Sequence, residues 1–185
     1  MRFFIALDIP DESTRQIIAI QNNLKTILPG VSLTYPEKFH LTLAFVGEQL
    51  EELKEPLVKV LKNSAKEIPP FSVIPCCLDG FPHFHSANVL WLGVKGEIDK
   101  LIKIRHHIKD GLTRLGLNTD PRRFIPHIAI AKAKDLKISF EQEKLLEKII
   151  PDNLDPILVD SIKLYESIES GGFHSHNTLA EIKLG

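Results

Sequence analysis

Cysteine is nearly absent from this chain. Its two cysteines, Cys76 and Cys77, are neighbours, and adjacent Cα atoms about 3.8 Å apart lie closer than a standard disulfide spans. That excludes a disulfide framework, and the pair is expected as buried thiols in a strand. Long apolar runs are also missing. None approaches the roughly 20 residues of a membrane-spanning helix. The apolar start Phe3-Phe4-Ile5-Ala6-Leu7 is too short for a secretion signal and has no small-residue cleavage site, so a cytoplasmic protein without membrane association is expected. Net charge is scarce: 23 Lys and Arg against 24 Asp and Glu leave a formal charge of −1. A protein that coats long nucleic acid gains affinity by neutralising many phosphates, so this balance argues against one. It still permits contact with a nucleic-acid end, for which Arg122, Arg123, Lys132 and Lys134 supply local cations. No low-complexity segment or linker divides the chain. With 185 residues, 43% apolar and 25% charged, residues 1–185 are read as one domain of two closely packed lobes.

What the sequence does contain is one short pattern, twice. Phe39-His40-Leu41-Thr42-Leu43-Ala44-Phe45 and Pro126-His127-Ile128-Ala129-Ile130-Ala131-Lys132 each place a histidine at the start of a strand-like apolar run. Side chains alternate along a strand. On that alternation His40 and Thr42 share one face, while Phe39, Leu41, Leu43 and Phe45 take the other. His127, Ala129 and Ala131 line up against Ile128 and Ile130 in the same way. Two strands that each bury one face and present a histidine on the other can bring two imidazoles to a single cleft.

The remaining elements follow from periodicity and punctuation. Phe3 to Ile9 reads as a strand, and Asp11 with Thr14 as a helix start leading into Ile17, Ile20, Leu24 and Leu28. A second helix begins close to Leu53, because Pro56 is tolerable only in a first turn. Strands over Phe71 to Leu78 and Val89 to Val94 are separated by a loop carrying Gly80, Pro82, His83 and His85. A third helix carries Leu101, Ile104, Ile108, Leu112 and Leu115 and stops at Gly116. The second motif strand, a short helix near Phe140 to Ile149, and strands near Ile157 to Glu166 and Thr178 to Lys183 complete the chain. Each half runs strand, helix, motif strand, helix, which suggests one lobe from each. The expected fold is α+β: two pseudo-symmetric lobes, each an antiparallel sheet with helices packed outside, and a cleft between them.

Beyond the two motifs, Arg2-Phe3-Phe4-Ile5-Ala6-Leu7, Phe81-Pro82, Val89-Leu90-Trp91-Leu92-Gly93, Phe124-Ile125-Pro126-His127 and Leu164-Tyr165-Glu166-Ser167 form blocks along nearly the whole length. Together they resemble the RNA 2',3'-cyclic phosphodiesterases, also described as 2'-5' RNA ligases, of the two-histidine phosphoesterase superfamily. The resemblance implies a metal-independent hydrolase that opens a 2',3'-cyclic phosphate at an RNA end, or on a small cyclic nucleotide, to a 2'-phosphate. It implies His40 as proton donor and His127 as proton acceptor, with Thr42, Ala129 and Lys132 in contact with substrate. The same pattern normally carries threonine at Ala129, arginine at Lys132 and a tyrosine near His176. One motif hydroxyl is therefore missing here.

The residue types suit that chemistry whatever the family. Opening a cyclic phosphodiester with water needs a base for the nucleophile's proton and an acid for the departing ribose oxygen, and histidine serves either role near neutral pH. Charge gathering on the non-bridging oxygens calls for a nearby hydroxyl donor, such as Thr42. The sequence alone does not order the two histidines. The other readings are 2'-5' ligation by the reverse step and a nucleotide- or RNA-end-binding protein whose catalysis is weakened by Ala129. His83 with His85 and His174 with His176 have a metal-like spacing, but no third and fourth ligand completes a set. No metal or cofactor is expected. Phe124 and Trp91 are candidates for base stacking, Trp91 more simply for the core. A monomer is expected.

Overall fold

The computed structural model describes residues 1–185. In chain order the strands are β1 (Arg2–Asp8), β2 (Ser32–Leu33), β3 (His40–Glu48), β4 (Phe71–His83), β5 (Ser86–Gly96), β6 (His127–Lys137), β7 (Ile157–Val159), β8 (Ser161–Ser170) and β9 (Phe173–Lys183). The helices are α1 (Asp11–Ile27), α2 (Lys54–Ala65), α3 (Ile98–Arg114) and α4 (Phe140–Glu147). All strand pairs are antiparallel, in the order β7-β4-β5-β6-β3-β1-β8-β9, with β2 added against β6.

This α+β sheet has a seam. β3 and β6 meet through one pair, Leu41 with Ile128, whereas every other junction on the path is a longer ladder. On one side lie β7, β4, β5 and β6, backed by α1 and α4; on the other lie β3, β1, β8 and β9, backed by α2 and α3. Each lobe is drawn from both halves of the chain, not from one half as the repeated element order suggested. The cause is β1, which docks between β3 and β8, while α1, which follows it, crosses to pack near β6.

The helices form where apolar spacing demands. Ile17, Ile20 and Leu24 of α1, Leu57, Val60 and Leu61 of α2, and Leu101, Ile104, Ile108 and Leu112 of α3 are all buried, and they fill one stripe per helix. The N-cap of α1 is Pro10, without a side-chain cap. Asp11 is its first residue, where a carboxylate favours the positive end of the helix dipole. Pro56 sits in the first turn of α2, where its missing N–H costs nothing. Leu115 falls just past α3 and is exposed; Gly116, at φ +75°, ends the helix. Ser139 and Gln142 form a reciprocal cap on α4. One apolar cluster of 36 residues includes side chains from both lobes. No helix is long and apolar enough to cross a membrane.

Two expectations fail here. The segment carrying Gly80, Pro82 and His83 is not a loop: β4 runs to His83 and pairs with β5 up to Ser86. Pro82 is tolerated because β7 covers only Phe71 to Val73, so the rest of β4 is an open edge, where a missing N–H breaks no ladder. The two cysteines do lie in a strand, but Cys76 is only half-buried and Cys77 is exposed.

Candidate active site

His40 opens β3 and His127 opens β6, the two strands that meet at the seam. Continuing the Leu41–Ile128 register by one residue each way sets Thr42 across from His127 and His40 across from Ala129. Leu41 and Ile128 are buried on the helix side, and the four flanking residues are half-buried on the other. The expected convergence of two imidazoles on one cleft face is what the sheet produces. Burial chiefly holds the His40 imidazole below its ordinary proton affinity, and the nearby His127 adds to the effect. The Lys38 carbonyl and Asp8 oppose it.

Both rings are seated alike. His40 Nδ1 lies 2.7 Å from the carbonyl of Lys38, and His127 Nδ1 lies 2.7 Å from the carbonyl of Ile125. A carbonyl only accepts, so Nδ1 donates in each ring, and the neutral tautomer leaves a lone pair on Nε2. Each ring also rests on an aromatic wall. For His40 this is Phe4, with ring centres 5.2 Å apart. For His127 it is Phe81 at 5.0 Å and Trp91 at 5.5 Å.

The motif strands depart from simple alternation at the same place. In β3 the partners of Ala6 and Ile5 are Thr42 and Ala44, leaving Leu43 unpaired. In β6 the partners of Trp91 and Leu90 are Ala129 and Ala131, leaving Ile130 unpaired. Each bulge inserts one residue at the third position after the histidine, and the face assignment beyond it reverses. Phe45, expected toward the core, pairs with Phe4 on the cleft face and is 69% exposed. Ala131, expected beside His127, turns inward and is 0% exposed. Lys132 pairs with Val89, on the face of Trp91 and His127, and is exposed. The face thus reads His40, Thr42, Phe45 from one lobe and His127, Ala129, Lys132 from the other.

Beside His40 the sheet carries groups that the motifs do not announce. The His176 ring stands edge-on to His40 at 5.2 Å and to Phe4 at 4.8 Å. Burial first, and then the neighbouring His40, push its pKa down to about 4. Asp8, the register partner of His40, accepts hydrogen bonds from the Tyr165 hydroxyl and the Lys163 ammonium. Burial, with Asp8 next, raises the Tyr165 pKa, keeping the phenol protonated. His40, Phe4, His176, Asp8 and Tyr165 enclose a cavity of about 200 Å³ together with Glu37 and Thr178. The available signal was the resemblance, which sets a tyrosine near His176; the His174 and His176 spacing suits a metal, but no further ligand completed a set. In the fold His174 faces Glu169 at 3.8 Å instead. A larger cavity of about 600 Å³ lies between α2 and α3, lined by Lys59, Asn63, His107 and Arg114. Asp110 also lines it, and neither motif histidine does.

Other candidates are not free to stack or bind. Phe124 is half-buried beneath the Arg105 guanidinium, 5.5 Å from its ring centre, so that face is not open to a base. Trp91 is 6% exposed. Arg122 closes on Asp120 at 2.6 Å. His85 bonds the Ile138 carbonyl through Nδ1 and faces Glu143 through Nε2, tying the β4–β5 turn to α4. No group of three or more His, Cys, Asp or Glu side chains is arranged to hold a metal ion.

The chain is similar to known proteins in sequence and, separately, in fold. A protein named RNA 2',3'-cyclic phosphodiesterase from Methanocaldococcus jannaschii is 30% identical over 167 residues, covering 90% of this chain and 91% of that one. One of the same name from Thermotoga maritima is 32% identical over 170 residues, covering 90% and 87%. Escherichia coli LigT, solved in complex with 3'-AMP, superposes with a TM-score of 0.77 at 23% identity, covering 99% of this chain and 97% of that one, which shows the fold. The family described as the 2'-5' RNA ligase superfamily matches residues 10–170. Over that span, with relatives at this identity and a neighbour in the same fold, the chain belongs to the 2'-5' RNA ligase superfamily.

Proposed function

We propose that this chain is an RNA 2',3'-cyclic phosphodiesterase, a hydrolase that opens the cyclic phosphate of an RNA end or nucleotide to a 2'-phosphate, with residues 1–185 acting as one two-lobed unit. The observation that carries this reading is the matched pair of imidazoles across the seam, each held through Nδ1 and each free at Nε2. The names of the relatives agree with it.

A cyclic phosphate seated between the rings presents phosphorus to both. His127 Nε2 takes a proton from water as the oxygen attacks, and His40, protonated, gives one to the departing ribose 3'-oxygen. Burial by itself disfavours the charged form of His40. The anionic phosphate reverses this, because an opposite charge within a few ångströms favours imidazolium. Substrate binding thus arms the acid. The Thr42 hydroxyl, across from His127, donates to a non-bridging oxygen as charge builds, and Lys132 adds a cation on the same face. Ala129, across from His40, contributes no donor. Phe45 offers an open aromatic surface next to Thr42, suited to a ribose or base. Proton transfer by two imidazoles requires no metal. A ribose 5'-hydroxyl attacking in place of water, with the same 3'-oxygen leaving, would instead yield a 2'-5' linkage.

The test is product identity. Adenosine 2',3'-cyclic phosphate incubated with the protein in excess EDTA and followed by ³¹P NMR should give the 2'-phosphate alone. The 3'-phosphate, a mixture of the two isomers, or turnover that returns only with added divalent metal contradicts the proposal.

A further inference from the structure

The adjacent cysteines have no place in the chemistry above, yet the sheet treats them unusually. In a regular strand, neighbouring side chains point to opposite faces. Here Pro75 pairs with Val94 and Leu78 pairs with Leu92, so Cys76 and Cys77 together oppose the single residue Gly93. A bulge of two residues against one brings both side chains toward the same side. Their sulfurs lie 3.0 Å apart.

Gly93 completes the arrangement. A Cβ there would stand 2.8 Å from the Cys77 sulfur, closer than any side chain tolerates, so the bare glycine is what leaves room for the thiol. Gly93 is also the register partner of His127. Cys77 therefore faces the cleft side of the sheet, one strand beyond His127. It is exposed, Cys76 is half-buried, and this stretch of β4 has no strand on its outer side.

We propose that Cys76 and Cys77 form a redox-modifiable dithiol on the cleft face, which closes to a vicinal disulfide by exchange with a low-molecular-weight disulfide. Cys77, the exposed thiol, attacks as thiolate, forming a mixed disulfide and expelling one thiolate of the reagent. Cys76 then loses its proton to the released thiolate and attacks the Cys77 sulfur, expelling the second half of the reagent. Two protein thiols are oxidised, and one disulfide is reduced to two thiols. The order follows from the environment: burial, and then the contact with Cys77, push the Cys76 thiol up to about 12, so it serves as the resolving partner and not the first nucleophile. Adjacent Cα atoms are closer than a relaxed disulfide allows, so the closed ring is strained, and strained, accessible disulfides are the readily reduced ones. The second thiol has a use: it clears any adduct from Cys77 and keeps the face beside His127 open.

The experiment is intact-protein mass spectrometry after treatment with 2-hydroxyethyl disulfide. The parent protein should lose the mass of two hydrogens, keep no adduct, and recover on reduction with dithiothreitol. C76S should instead accumulate one stable mixed disulfide on Cys77. C77S should react more slowly than C76S, since Cys76 is half-buried and its burial disfavours the thiolate whether or not Cys77 is present. A stable adduct on the parent, a disulfide-linked dimer, an unchanged mass, or C77S reacting as fast as C76S overturns the proposal.

Discussion

His40 and His127 are held by the same hydrogen bond, Nδ1–H to the carbonyl two residues upstream, at 2.7 Å in both cases. Neither ring can turn without losing it. The backbone, not a second side chain, fixes both tautomers and presents both Nε2 atoms. This explains why each motif begins where the strand begins, since the carbonyls of Lys38 and Ile125 lie just outside β3 and β6 and are not spent on a ladder.

The register of the Leu41–Ile128 pair, continued by one residue each way, sets Ala129 across from His40 and Thr42 across from His127. Restoring a hydroxyl with Ala129→Thr should raise turnover of a 2',3'-cyclic nucleotide. Losing one such donor costs on the order of 10²–10³ in rate elsewhere, and that is the ceiling for the gain. Steady-state kinetics should show the effect in kcat, and it should vanish in a His127→Ala background. An unchanged or lower kcat with intact fold and KM would mean that Lys132 or a water already fills the role.

The two motifs, the shared face of His40 and Thr42, and most helices were legible in the sequence, because each rests on local periodicity and each stripe has one energetic reason to face inward. What lies beyond Thr42 and Ala129 was not. Whether Leu43 and Ile130 bulge depends on β1 and β5, which lie far away in sequence, and one unpaired residue reverses every later assignment. That is why Phe45 and Ala131 were placed on the wrong faces. The turn segment through Pro82 misled for a similar reason: proline breaks a central strand but not an open edge. The lobes could not be read from element order, because α1 crosses the seam, and His176 approaches His40 only through the long β8–β9 hairpin.

The proton-transfer roles are separable. A substrate with sulfur in place of the 3'-oxygen needs no acid, since a thiolate leaves unprotonated. On that substrate His40→Ala should recover most of its lost rate while His127→Ala stays slow. The opposite pattern would exchange the two roles.

Burial lowers the pKa of His40 and brings His176 down from 6.5 to about 4. In each case the unfolded chain binds the proton more tightly than the fold does. Their contribution to stability is therefore complete above about pH 6.5 and declines as pH falls toward the folded value, near 4 for His176. Urea midpoints measured between pH 7 and pH 5, above the range where ordinary carboxylates titrate, should fall with pH. His176→Gln should flatten that slope. Parallel slopes for the parent and the variant would show that His176 is not desolvated as described.

In the proposed reaction two histidines, one from each side of the seam, transfer the protons. The direct measurement is turnover of a 2',3'-cyclic nucleotide in EDTA by His40→Ala and His127→Ala, each checked by circular dichroism for an intact fold. Each variant should lose about 10²–10⁴ in kcat, and the double variant should lose little more than the worse single one, because the two groups act in one step. Near-parental turnover in either folded variant would contradict the account.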